Sequence, residues 1–223
     1  MSLDLFITAA GTEIGKTFVA ERLIRECRSR GVSCDALKPI VTGFDASAQT
    51  DTARLLAALR LPVNEHTVEA RSPWRFAEPI SPHIAARREG RRIMLNELVA
   101  FCKQPCDARL RLIEGVGGVM VPLNDEVTTL DWITALGIPA ILVVGTYLGA
   151  ISHALTAWET LRTHSVALQG IVVNESPEQP VPLEDTLATI RRFCEPTPVA
   201  RLERDAPQTG SMLEAFCLVP GAG

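Results

Sequence analysis

The chain has 223 residues, of which 47% are hydrophobic and 22% charged, and a formal net charge of −4. That is the composition of a folded globular protein, and the length favours one domain over residues 1–223 with room for a core and a ligand cleft. There is no long basic stretch to neutralise nucleic-acid phosphates, no apolar run of the roughly 18 residues a membrane span needs, and no signal-peptide pattern in Met1 to Thr8, so the expectation is a cytoplasmic protein with no nucleic-acid or membrane partner.

Residues 5–8 form a short apolar run that predicts a strand, followed by a glycine-bearing loop over 9–15. Phe18, Val19, Leu23, Ile24 and Cys27 then recur at helical spacing, and Arg28 to Gly31 closes that helix with a basic turn and a glycine. Residues 32–37 read as the next strand, stopped by Lys38-Pro39. A loop with Gly43 leads to a predicted helix over 50–59. From 61 to 82 no period is sustained and Pro62, Pro73, Pro79 and Pro82 interrupt the chain, so this stretch reads as irregular. Helices are predicted over 82–88 and 94–103. Residues 110–114 form a buried strand ending in Gly115-Val116-Gly117-Gly118, and the apolar run 140–144 is a parallel strand ending at Gly145. A helix over 150–162, a strand over 170–173, a helix over 183–193 and a strand over 197–202 complete the series. Such alternation predicts an α/β fold with a mostly parallel sheet and helices on both faces. In these sheets ligands bind beyond the carboxyl ends of the strands.

Six cysteines are scattered without a repeated pair spacing. Cys102 and Cys106 share a helical face, yet no second pair or histidine completes a zinc set, so the thiols read as structural and reduced. Lysine usage is more telling, since only Lys16, Lys38 and Lys103 accompany nineteen arginines. A compact ammonium fits a tight phosphate pocket where a planar guanidinium does not.

Ala10-Gly11-Thr12-Glu13-Ile14-Gly15-Lys16-Thr17 matches the phosphate-binding loop G-x-x-x-x-G-K-[ST] except at Ala10. Backbone N–H groups of the loop and of the following helix point at phosphate oxygens. Gly15 permits close approach, Lys16 reaches the β and γ phosphates, and the Thr17 hydroxyl ligates magnesium. The expected fold is therefore three-layered and P-loop NTPase-like. Glu114 ends a buried strand across from this loop, where a carboxylate can hold or polarise the magnesium shell. Glycines 115 and 117 around Val116 let a nucleotide approach the backbone. Asp51, opening the helix after the second strand, is a further candidate metal partner. Lys38 at the second strand end brings a second cation close to Thr12 and Lys16. Two cations suit a phosphoryl- or carboxyl-bearing intermediate better than a neutral substrate.

Together, residues 8–17, Lys38-Pro39-Ile40-Val41-Thr42-Gly43, Ser81-Pro82-His83, residues 114–118, the 142–149 stretch and Val172-Val173-Asn174 resemble the dethiobiotin synthetase family. The matches run in family order from residue 6 to about 174. The resemblance implies a homodimeric ligase that uses ATP and magnesium. In that family 7,8-diaminononanoate takes up CO2 as a carbamate, which attacks the γ-phosphate to give a carbamic–phosphoric anhydride, and the second amine closes the ureido ring. Carried onto this chain, Thr12, Lys38 and Thr42 contact the diamine or carbamate, with Lys38 catalytic. Glu13, Ile14, Gly15, Lys16, Thr17 and Phe18 bind the nucleotide, as do Gly115, Val116 and Gly117. Thr17, Asp51 and Glu114 hold magnesium, and Asn174 reads adenine. Gly149, Ala150, Ile151 and Ser152 bind the distal carboxylate across the dimer interface. Ser81-Pro82-His83 starts a helix lining the site. Ala9 and Ala10 depart from the family's loop start, Thr42 stands where Ser is usual, and Glu203-Arg204 replaces an adenine-flanking Pro-Trp pair. The alternatives are a cobyrinate amidase-type ligase, which normally carries an appended glutaminase domain, and a partitioning-type nucleotide switch, which has a signature lysine where this chain has Ala9, Ala10 and Gly11.

Overall fold

A computed structural model describes residues 3–46, 50–204 and 210–218. Six strands form one sheet: β1 (Leu3–Ala9), β2 (Cys34–Leu37), β5 (Leu110–Glu114), β6 (Ala140–Val144), β7 (Leu168–Asn174) and β8 (Val199–Leu202). Their order across the sheet is β2-β5-β1-β6-β7-β8, and every neighbouring pair is parallel. All carboxyl ends therefore face one side. On that side the connections after β1, β2, β5 and β7 bring the predicted functional residues together.

The period-2 alternation of the strands separates two cores. Leu5, Ile7, Ile141 and Val143 point to one face and meet Val19, Leu23 and Ile24 of α1 (Lys16–Ser29), Leu55 of α2 (Asp51–Leu59) and Met212 of α9 (Met212–Ala215). Phe6, Ile113, Leu142 and Val144 point to the other face. There they meet Ala85 of α4 (Pro82–Arg88), Leu98 of α5 (Leu95–Cys102), Trp132 of α6 (Thr129–Leu136), Leu161 of α7 (Ala150–Thr163) and Ile190 of α8 (Leu183–Phe193). Three layers result, as the alternation of strands and helices predicts. Trp132 is a core residue that meets Phe6 edge-on at 4.8 Å. Across the β1–β5 ladder, the guanidinium of Arg111 grips both carboxylate oxygens of Asp4, and Asp4 and Arg111 lie in register. The six thiols are unpaired. Among the described residues no helix is long and apolar enough to cross a membrane.

The segment 61–82 is not irregular. Asn64 and Thr67 form a capping box that starts α3 (Glu65–Glu69). Beyond it β4 (Trp74–Phe76) pairs in parallel with β3 (Ile40–Thr42) as a separate two-stranded sheet. Three-residue strands are too short to display a period, which is why the prolines dominate the sequence signal. Helix α6 was also not predicted, although Thr128 and Asp131 form a capping box at its start. The chain beyond Leu218, with the end of the tail, lies outside the described residues.

Candidate active site

The loop after β1 turns into α1 at Gly15, which has φ 97° and ψ 30° and stands as the helix N-cap. A side chain is excluded there twice over. The backbone is left-handed, and a Cβ would lie 2.3 Å from Nδ2 of Asn174. Asn174 itself, at the end of β7, donates from Nδ2 to the carbonyl of Ile14 at 2.8 Å. Its Oδ1 is buried and has no hydrogen-bond partner among the described residues. Ala10, the departure from the loop pattern, has no left-handed backbone, so its Cβ costs nothing in local conformation. Gly15→Ala is expected to lower stability by about 1–3 kcal/mol, from positive φ together with displacement of the Asn174 amide. A urea titration checks this, and an unchanged midpoint contradicts it.

Below the loop lies a buried cluster. Lys16 Nζ donates to the carbonyl of Gly117 at 2.8 Å. Thr17 Oγ1 donates to Glu114 Oε1 at 2.8 Å, and Lys38 Nζ donates to the same oxygen at 2.6 Å and to the Gly115 carbonyl at 2.8 Å. Asp51, the first residue of α2, places Oδ2 3.6 Å from Lys38 Nζ. Glu114 is 1% exposed, and its Oε2 has no hydrogen-bond partner among the described residues. Burial, aided by the charge of Lys38, pushes the Lys16 ammonium down to about 8. Burial works against the Asp51 carboxylate, but Lys38, the Thr17 hydroxyl, Arg54 and Lys16 outweigh it and hold Asp51 below the usual carboxylate range.

One cavity of about 490 Å³ opens over this cluster, a volume that suits a small-molecule ligand. Thr12, Glu13, Gly15, Lys16, Thr17 and Phe18 line it from the loop and α1. Lys38, Thr42 and Asp51 line it from the β2 side, with Glu114, Val116, Gly117 and Asn174 from the ends of β5 and β7. Ile14 and Gly115 take part through their carbonyls. Gly149, Ala150, Ile151 and Ser152 do not line the cavity; Gly149 is the N-cap of α7, and the other three open that helix. The Ser-Pro-His stretch does not line it either. Ser81 Oγ contacts His83 Nδ1 at 2.9 Å, and His83 lines a separate small cavity, while Pro79 reaches the main one. Arg54 and Arg204 also line the main cavity. Arg54 follows Asp51 by one helical turn, a spacing that could have revealed it.

A family model described as an AAA domain matches residues 4–210. The ATP-dependent dethiobiotin synthetase BioD of Methylobacterium nodulans is 51% identical over 200 residues, covering 85% of this chain and 88% of that protein. Its counterpart in Acidiphilium cryptum is 46% identical over 214 residues, covering 94% and 96%. Among solved structures, the septum site-determining protein MinD with Mg-ADP from Pyrococcus horikoshii matches with a TM-score of 0.56 at 17% identity, covering 92% of this chain and 82% of that one. The signal recognition particle receptor FtsY of Elizabethkingia anophelis matches with a TM-score of 0.55 at 14% identity, over 98% of this chain and 65% of that one. These two likenesses establish the P-loop NTPase fold and nothing narrower. The identities over most of both sequences establish more: the chain belongs to the ATP-dependent dethiobiotin synthetases, a family of cyclo-ligases.

Proposed function

We propose that this chain, as a single catalytic domain in a cytoplasmic homodimer, closes the ureido ring of dethiobiotin from 7,8-diaminononanoate, CO2 and ATP. Relatives about half identical carry the coarser reading, an ATP-dependent ligase of biotin synthesis. The observation that carries the finer one is the pair of lysines, 7% and 4% exposed, set around one buried carboxylate beside the phosphate loop. A reaction that brings a carbamate anion to a γ-phosphate needs two cations where the negative groups meet.

The roles follow from the positions. Backbone N–H groups from Glu13 to Phe18 cradle the phosphates, and Lys16 takes the β and γ groups. Asn174 is held by Ile14 with an acceptor to spare, which suits the amino group of adenine. A carbamate oxygen attacks the γ-phosphorus, the bond to the bridging oxygen breaks and ADP leaves. The second amine then attacks the carbamoyl carbon, loses its proton, and expels phosphate as the ring closes. Lys38 neutralises charge between carbamate and phosphate, while Thr12 and Thr42 offer hydroxyls to the diamine. Thr17, Asp51 and Glu114, whose Oε2 has no partner among the described residues, offer the hard oxygen donors that fit magnesium. When bound, the ion supplies charge neutralisation along the triphosphate. The first turn of α7 has no acid and no side-chain cap, and Leu148 beside it is 84% exposed. These features suit an interface in which residues 149–152 of one copy hold the distal carboxylate of the other's substrate. The unpaired thiols agree with a reducing compartment.

Phosphate release from ATP that requires both 7,8-diaminononanoate and bicarbonate tests the reading; release without either overturns it. Within it, Lys38→Arg is expected to cost at least about tenfold in turnover, or 1.4 kcal/mol of barrier. The ammonium sits in a slot between Glu114 and the Gly115 carbonyl that a planar guanidinium overfills. Lys38→Gln should lose more, with ATP binding little changed in both. Wild-type rates for Lys38→Arg would reduce the role of Lys38 to net charge.

A further inference from the structure

One ion pair at the edge of the cavity has no part in the roles above. Arg54 lies one turn into α2 from Asp51 and helps to wall the cavity. Its guanidinium holds Glu21 of α1 by two bonds, Nε to Oε1 at 3.2 Å and Nη2 to Oε2 at 2.8 Å. The Glu21 side chain is 12% exposed and that of Arg54 34%, so the pair is shielded more than an ordinary surface ion pair. Glu21 follows Thr17 by four residues and shares its helix face. The bridge therefore joins the turn that carries Asp51 to the turn that carries Thr17. At the far end of the same two helices Arg28 Nη1 donates to the carbonyl of Ala58 at 2.8 Å. These two polar ties flank the apolar packing of Leu55 and Ala58 with α1, and of the two the Glu21–Arg54 tie is the one near the site. The Asp51 side chain is 42% exposed and 3.6 Å from Lys38, and the Thr17 hydroxyl and Arg54 also act on its carboxylate. Asp51 opens α2, so the place of its carboxylate follows the place of that helix.

We infer that Arg54 is a positioning residue: through Glu21 it clamps the first turn of α2 beside Thr17, so that Asp51 and Glu114 face one cation. The planar fork restrains rotation about the contact, which a single ammonium cannot do. The inference rests on the proposed magnesium role of Thr17, Asp51 and Glu114. Calorimetric titrations of ATP at stepped magnesium concentrations, and in EDTA, test it on the wild type, Arg54→Met, Glu21→Gln and the exchanged double variant Glu21→Arg/Arg54→Glu. Both single variants are expected to raise the magnesium concentration for half-maximal tightening of ATP by at least about fivefold, an ordinary coupling for such a pair. ATP affinity in EDTA should not change, and the exchanged pair should recover at least half of the loss. Arg54→Lys, which keeps the charge and the α2 packing, should move in the same direction if Arg54→Met folds poorly. A silent Glu21→Gln beside an impaired Arg54→Met would mean that Arg54 acts directly, on the nucleotide or on Asp51, and overturn the inference, as would an equal loss in EDTA. A magnesium-dependent wild type with unshifted variants overturns the inference alone. A wild type whose ATP binding ignores magnesium overturns the metal roles as well.

Discussion

Lys16→Ala is expected to cut ATP turnover by roughly 10²–10³ while the fold survives. The ammonium is 7% exposed and bonded to the Gly117 carbonyl, and burial with the nearby charge of Lys38 holds it down to about 8. A triphosphate brought against it stabilises the charged form, so attraction is greatest where negative charge accumulates. Losing that interaction in a water-poor site costs about 3–4 kcal/mol of transition-state stabilisation, roughly 10²–10³ in rate. The folded state loses little, because removing a desolvated cation also removes its burial penalty. Phosphate-release kinetics and a denaturant titration on one preparation check both halves. Wild-type turnover would end the assignment of this loop to phosphate binding.

The second large effect is expected at Glu114, and it reaches both stability and activity. Its Oε1 is the common acceptor of Thr17 and Lys38, at 2.8 and 2.6 Å. Glu114→Gln leaves Lys38, 4% exposed, facing an amide, with the Asp51 carboxylate 3.6 Å away as its remaining counter-charge. Removing one partner of a buried pair typically costs about 3–5 kcal/mol, and the surviving Asp51 contact places the expected loss at the lower end. The isosteric amide also weakens a hard oxygen donor, so the magnesium requirement of turnover should rise while ATP affinity in EDTA stays similar. Adding Lys38→Met to Glu114→Gln separates the two effects. The double variant should regain part of the stability, since no buried ammonium is left facing an amide, and none of the turnover. Regained turnover would remove both residues from the chemistry.

How much of this was legible beforehand depends on the range of each interaction. The phosphate loop is local: a short strand, a left-handed Gly15 and the lysine at the helix start lie within ten residues, so pattern alone finds them. Lys38 and Glu114 were readable as strand-end residues, because the carboxyl ends of parallel strands share one side. What the pattern could not give is their bond to each other, 76 residues apart in the chain, or that Thr17 donates to the same oxygen. The β3–β4 pair was missed because a three-residue strand has no period, and its stability comes from pairing rather than from composition. Helix α6 was missed although Thr128 and Asp131 announced it. The Ser-Pro-His stretch does not line the main cavity, although Pro79 just before it does, because direction of departure from a turn is a tertiary property. Arg54 was overlooked because its partner Glu21 is 33 residues away on another helix.

The strand order also has a consequence for how the molecule is made. The central strand β1 precedes both of its neighbours, β5 and β6, in the chain, and the paired Asp4 and Arg111 are 107 residues apart. A nascent chain that has delivered β1, α1 and α2 therefore holds an apolar strand with nothing to pair against. Nucleotide cannot rescue such a fragment, because the carbonyl that Lys16 bonds and the carboxylate that Thr17 bonds are still to come. The binding loop cannot complete its contacts before β7 is made, because Asn174 donates to the Ile14 carbonyl. Until β5 and β6 are made, the apolar residues of β1 lack their sheet neighbours, the kind of exposure that favours aggregation.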